Sequence, residues 1–474
     1  MKIHESTREI DVLDEVDVLV AGGGVSGCAA AIASARAGAK TVLIERNGVL
    51  GGVATAGLMG NIVNEYMNRS GQMIVGGIAR EVVDRMVARG AASPRWASRE
   101  MPGVVIDSEQ LKILLIEMQQ EAGVIVLTHS LAARPVMASS AVKGVFLESK
   151  SGRQALLAKV VIDATGEADL AAQTNCPIRW TQGTASLEFK MANVNLDALY
   201  QHFKRQPQTF PTGIDYVKGF DVFERNWLER GVFFFPHGGG FHWDIFLKAI
   251  ESGEYQKDRG VVRNLHAAGL YGLKGRDVVT INSNFCEINE LDVRRLAIAE
   301  LETQKICTYV ADFFRRHVPG FQNAYIIQLA GEICIRTSRG IEGEATLTEE
   351  ELYSNRLVHF DDVIACRPAF SKFKETGEFY AAHTIDIPYR IMVPKNTENL
   401  LVASGKSVSC RPQRILRFMP SCMMLGQGAG AAAALAAKTD APVRDVDLRA
   451  VQRILLGQGV FLGSEDRLKS LGLI

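Results

Sequence analysis

The chain has no net charge to speak of: 53 lysines and arginines balance 53 aspartates and glutamates. That balance supplies no field to draw in nucleic acid or an anionic membrane. The eight cysteines, Cys28, Cys176, Cys286, Cys307, Cys334, Cys366, Cys410 and Cys422, include no C-x-x-C pair, which disfavours a zinc site or a cysteine-ligated iron–sulfur cluster. Buried free thiols in a reducing cytoplasm are the plain expectation. Long apolar runs are also missing. GAGAAAALAAK at 428–438 is too short and too weakly apolar for the roughly 20 residues that a membrane span needs. The charged N-terminus shows no apolar stretch ahead of a small-residue cleavage site, so no signal peptide is expected. A cytoplasmic protein with a small-molecule partner, and with neither metal nor membrane, is the expectation. An assembly of identical chains is left open.

What is present is alternation of strands and helices. Residues 16–21 (VDVLVA) form an apolar run typical of a buried parallel strand, which Gly22 to Gly24 stop abruptly. Small helix formers follow at 25–38 and end at Gly38, before TVLIE at 41–45 gives a second strand. Residues 109–122 have helical spacing, 123–130 lean to a strand, and 143–166 read as a hairpin followed by a buried strand. From about 180 to 384 polar and aromatic stretches take over, with a helical segment at 290–316; 386–405 is strand-like again, and 420–438 is a helix candidate. The chain of 474 residues thus leaves its first domain and re-enters it. Gly426 to Gly430 resemble a nucleotide loop, but no buried strand precedes them. They are expected to be small-residue packing.

Gly22-x-Gly24-x-x-Gly27 sits between the first strand and the first helix. In that context Gly22 permits the tight turn, Gly24 lets a pyrophosphate approach the backbone and Gly27 allows close helix–strand packing. The helix N-terminus beginning at Val25 and Ser26 then offers free N–H groups to the phosphate. Glu45, at the end of the second strand, is placed to accept hydrogen bonds from an adenosine ribose. FAD and NAD share this half-site.

Four further segments resemble the glutathione-reductase-like FAD-dependent oxidoreductases, and more closely a branch distantly similar to the flavin subunit of heterodisulfide reductase. They are Glu45-Arg46 with Leu50-Gly51-Gly52-Val53-Ala54-Thr55; Asp163-Ala164-Thr165-Gly166-Glu167-Ala168-Asp169; Asn399-Leu400-Leu401-Val402-Ala403-Ser404-Gly405; and Arg417-Phe418-Met419-Pro420-Ser421-Cys422. The resemblance implies that the first two segments run along the flavin's pyrophosphate and ribityl chain, and that Gly405 closes in from the C-terminal side. It also implies that the helix led by Met419, Pro420 and Ser421 points its N-terminus at the isoalloxazine ring. Lys406 stands where the family often carries arginine. No histidine lies near residues 46–60, so the FAD is expected to be non-covalent. An α/β architecture is implied: a Rossmann-type FAD-binding domain (glutathione-reductase-like) from 1–180 and 385–474, with an inserted mixed α+β substrate or cap domain at 181–384.

The chemistry is expected at Arg336, Arg339, His383 and Arg390. Two arginines three apart fall on one helical face or bracket a turn, and are suited to clamping a carboxylate or donating to an oxyanion. His383 and Arg390 flank Asp386-Ile387-Pro388-Tyr389, and a histidine there suits general acid–base work. His237 and His242, in a glycine-rich stretch, either line the same cavity or merely decorate a loop. The expected activity is hydride transfer between flavin N5 and a small organic substrate, by alcohol or amine dehydrogenation or by reduction of a polarised double bond, with an external electron donor or acceptor. The alternative is an electron-transfer subunit that docks to a redox partner protein.

Overall fold

A computed structural model of the chain describes residues 3, 7, 9–63, 66–68, 71–98, 103–212, 219–235, 237, 242–353, 360–368 and 384–474. Its first sheet is mixed. Ile125–Leu127, Thr41–Ile44, Val12–Ala21 and Gly152–Asp163 lie side by side in parallel, and Leu400–Val402 adds a fifth parallel strand beyond Asp163. The early half of Gly152–Asp163 pairs instead, antiparallel, with Ala141–Ser149, which pairs with Leu131–Ala138. The hairpin expected across 143–166 is thus present, with its two-residue turn at Lys150-Ser151, one residue before the expected Ser151-Gly152.

The apolar runs are continuous because both faces of the sheet are covered. Val18, Val20, Val160 and Ile162 face one core with the helices Val25–Arg36 and Met419–Thr439. Leu19, Ala21 and Val161 face a second core with Val142, Ile341 and Val402. Strand alternation alone divides the two. The two helices pack through glycine: a Cβ on Gly426 would lie 2.0 Å from the Ser26 carbonyl oxygen, and one on Gly430 would lie 2.2 Å from that of Ala30. Residues 426–430 are therefore packing surface, at a separation only glycine permits.

A second, antiparallel sheet has the order Val232–Phe235, Gly269–Leu273, Val279–Ile288, Gly183–Ala192, Tyr325–Leu329. One face buries Leu187, Phe189 and Met191 beneath Phe313 and Phe314 of the long helix Val293–His317. The opposite face carries Ser186, Glu188, Lys190, Thr280 and Asn282 toward the first sheet, where Lys190 Nζ donates to Ser108 Oγ at 2.6 Å. The helix expected at 290–316 is this one, within a few residues. Helix Gly77–Ala88, packed under Met419–Thr439, was not foreseen. Among the described residues no helix is long and apolar enough to cross a membrane.

Candidate functional site

The five parallel strands all end at one cavity of about 810 Å³. Gly22, Glu45, Ser130, Ala164 and Ser404 follow those strands, and each lines it. The C-terminal edge of an open parallel sheet is where such folds bind ligands.

Each glycine of the first turn has a distinct steric reason. Gly22 has φ +102°, and a Cβ there would meet the Ala164 carbonyl at 2.5 Å. A Cβ on Gly27 would lie 1.8 Å from the Gly22 carbonyl, whereas one on Gly24 meets nothing within 4 Å. The open side of Gly24 faces the cavity that Val25 and Ser26 also line, at the start of helix Val25–Arg36. Ser26 Oγ donates to the Ala403 carbonyl and so ties this helix start to the returning strand.

Glu45 takes its place through two backbone amides. Gly23 N donates to Oε2 and Asn47 N to Oε1, each at 2.7 Å. Burial pushes its carboxyl up, and those two amides pull it back. Arg46 also lines the cavity and pairs with Glu332. Gly51 and Gly52 both have positive φ, and Gly51 N donates to Gly23 O at 2.8 Å. Gly52 and Val53 reach the cavity. Gly51, Ala54 and Thr55 sit behind them, with Thr55 Oγ1 donating to the Leu50 carbonyl.

The next wall is built on Asp163, which is fully buried. Its carboxylate accepts from Thr165 N (3.1 Å), Thr165 Oγ1 (2.6 Å), Leu170 N (3.0 Å) and Ala171 N (3.0 Å). That clamp holds Ala164, Thr165, Gly166 and Asp169 along the cavity. Asp169 is pushed up to about 6, mainly by burial and further by Asp163 and Glu167, while Arg339 opposes the rise. Lys406 crosses from the other side, its Nζ 2.9 Å from Glu167 Oε1 and 3.0 Å from the Ile335 carbonyl. Gly405 faces away from the cavity, because a Cβ there would meet the Leu416 carbonyl at 1.8 Å.

The far end is aromatic. Met419 lines it at the N-terminus of Met419–Thr439, with Arg417, Phe418 and Cys422; Pro420 and Ser421 are buried behind. Phe234 and Tyr271, paired across neighbouring strands with ring centroids 5.5 Å apart, form part of the wall. His237 and Phe285, with centroids 4.9 Å apart, form another. Burial, together with Arg336 and Arg417, holds His237 well below the usual histidine range, so it is a neutral imidazole.

The expected catalytic residues separate. Arg336 lines this end, its Nη2 donating to Ser186 Oγ at 2.8 Å and its guanidinium 4.6 Å from the Phe285 ring centroid. Arg339 does not reach the cavity; it pairs with Asp169 behind the wall. The pair is therefore not one clamp, because between them the chain passes from Cys334–Ile335 to Arg339–Ile341, strands that pair with different partners. Arg390 does not line the cavity either: its side chain is drawn to Asp361 at 3.5 Å and Asp362 at 3.8 Å. His383 lies outside the described residues. His242 is exposed and bridges to Thr212, so only His237 of that stretch meets the cavity. Sequence reasoning missed Asn61, Phe234, Tyr271 and Phe285. The alternation in VFFF and GLYGL carried a signal, but nothing local says which face meets the other sheet.

All eight cysteines are free and buried. Burial pushes Cys28 up to about 12, a protonated and inert thiol. Among the described residues no three or more His, Cys, Asp or Glu are grouped as metal ligands.

A cleft at the strand ends, a glycine turn open to the cavity, an acid closing the second strand and a helix N-terminus at the far end together make the arrangement of a dinucleotide-binding site. The chain belongs to the FAD dependent oxidoreductase family, whose model matches residues 17–455. It is an enzyme of that family, with FAD as cofactor. No curated protein sequence matches it. Among solved structures it is similar to a geranylgeranyl bacteriochlorophyll reductase-like protein from Thermoplasma acidophilum, at 15% identity over 94% of this chain and 87% of that one, with a TM-score of 0.45. It is also similar to p-nitrophenol 4-monooxygenase from Pseudomonas putida, at 11% identity over 97% and 84%, with a TM-score of 0.42.

Proposed function

We propose that the chain exchanges a hydride between flavin N5 and a small organic substrate, with the FAD held non-covalently. When bound, FAD supplies the two-electron chemistry; the protein's part is to seat it, orient the substrate and exclude water. Glu45 would receive the adenosine ribose, Gly24, Val25 and Ser26 the pyrophosphate, and Gly52, Val53 and Thr165 the ribityl stretch. The N-terminus of Met419–Thr439 would face the ring, where its free N–H groups favour negative charge that develops on reduction. Residues 1–180 and 385–474 would form a glutathione-reductase-like cofactor domain, and 181–384 an inserted unit that closes over the substrate.

The observation that carries this reading is the continuity of the cavity, which runs from Glu45 past Gly24 to Met419 and on to Arg336 and Phe285. A subunit acting only by docking to a redox protein has no need of that aromatic end. The test is anaerobic bleaching of the bound chromophore against alcohols, amines and, from the reduced state, activated alkenes. Bleaching or reoxidation by one class supports the proposal. A flavin indifferent to all of them but reduced by an iron–sulfur protein overturns it in favour of electron transfer.

A further inference from the structure

We propose that the substrate is an organic acid, its carboxylate seated on Arg336 and its apolar body against Phe234, Tyr271 and Phe285. This deepens the reading above and rests on it.

Arg336 is a charge without a counter-charge. It lines the cavity and, among the described residues, forms no ion pair; its contacts are Ser186 Oγ at 2.8 Å and the face of Phe285. Two other cations of the cavity wall do have carboxylate partners. Arg46 is paired with Glu332 and Lys406 with Glu167 on the same cavity wall. The carboxyl that acts on Arg336 most strongly is Glu188, which is fully buried and completes no hydrogen bond. Burial pushes the Glu188 carboxyl up, against the pull of Arg336, which weakens it as a counter-charge. His237, an imidazole, adds no negative charge.

A half-buried guanidinium facing the cavity without an ion-pair partner is open to an anion, and a planar bidentate acceptor is the partner its fork fits. Bound carboxylate would supply that anion. Arg417 lines the same end and stands over the Phe418 ring, so the flat fork of Arg336 is the feature that selects a carboxylate. Phe234 and Tyr271 then cover an apolar body.

The test uses the oxidised, flavin-loaded protein, titrated with propionate, benzoate and phenylacetate and with the three matching amides, while the flavin's visible bands report occupancy. At least one acid should saturate, with its amide binding tenfold or more weaker. Arg336→Met should weaken the acid a hundredfold or more at unchanged flavin content, and Arg336→Lys should recover part of that loss. The proposal is overturned if acid and amide bind alike, if none of the three acids binds, or if Arg336→Met sheds its flavin, which would make Arg336 a cofactor ligand. A protein that takes up no flavin at all fails the parent reading instead, and calorimetry with the same six compounds then still scores Arg336.

Discussion

Glu188 lies directly opposite Asn282 on the neighbouring antiparallel strand, both fully buried, and the polar atoms of both side chains complete no hydrogen bond. The Gly60 amide and the Arg336 guanidinium draw the carboxyl down, yet burial dominates and keeps it well above 4.5. The folded chain therefore holds a proton that the unfolded chain releases. Its contribution to stability is full below 4.5 and declines as pH rises toward the folded value. Glu188→Gln has no proton to lose, so its stability relative to the parent should climb as pH rises from 4.5 toward neutrality. Urea unfolding at several pH values measures this; a gap independent of pH would reject the neutral acid.

Gly24 and Gly27 should respond oppositely to alanine. A methyl group at Gly24 enters open space, so Gly24→Ala should keep its melting temperature while flavin affinity falls at least tenfold. A methyl group at Gly27 meets the Gly22 carbonyl at 1.8 Å, so Gly27→Ala should lose stability first, by about 1–3 kcal/mol or more. Melting curves alongside the ratio of visible to ultraviolet absorbance separate the two effects. Equal behaviour of the pair would contradict the geometry.

Gly426→Ala should push apart the helices Val25–Arg36 and Met419–Thr439, since the new Cβ would sit 2.0 Å from the Ser26 carbonyl. The expected cost is about 1–3 kcal/mol. Because Ser26 is itself a cavity residue, flavin retention should drop with stability, even though residue 426 does not line the cavity. Chemical unfolding and flavin release on dilution are the two measurements.

Asp163→Asn replaces a carboxylate oxygen by an NH₂ group facing N–H donors. Whichever way the amide turns, it meets either Thr165 N or Leu170 N and Ala171 N with a donor. A loss of about 3 kcal/mol is expected from the unmet groups, with weaker flavin binding as the turn Ala164–Gly166 relaxes. Asp163→Asn with parental stability and colour would show that the clamp is not what holds the turn.

The glycine-turn end of the cavity was readable from the sequence because its determinants are local. Gly22, Gly24 and Gly27 act within six residues of one another, and Glu45 ends the next strand. Gly426 and Gly430 were readable as packing because no strand precedes them. The aromatic end was not readable. Phe234, Tyr271 and Phe285 lie on separate strands of an antiparallel sheet, and which side of each strand meets the cavity depends on register. Arg390 and Arg339 went astray for the same reason: Asp361 and Asp169 claim them through tertiary contacts that no spacing announces.

The strand Leu400–Val402 takes its position beside Gly152–Asp163, which leaves the ribosome long before it. At about 5–20 residues per second, the intervening stretch of about 240 residues takes tens of seconds to emerge. Through that interval the edge at Asp163 stays unpaired, and helix Val25–Arg36 lacks the glycine-faced neighbour that later covers it. A nascent chain of this protein therefore passes through a lengthy period in which its oldest part waits, partly uncovered, for its last-made segments.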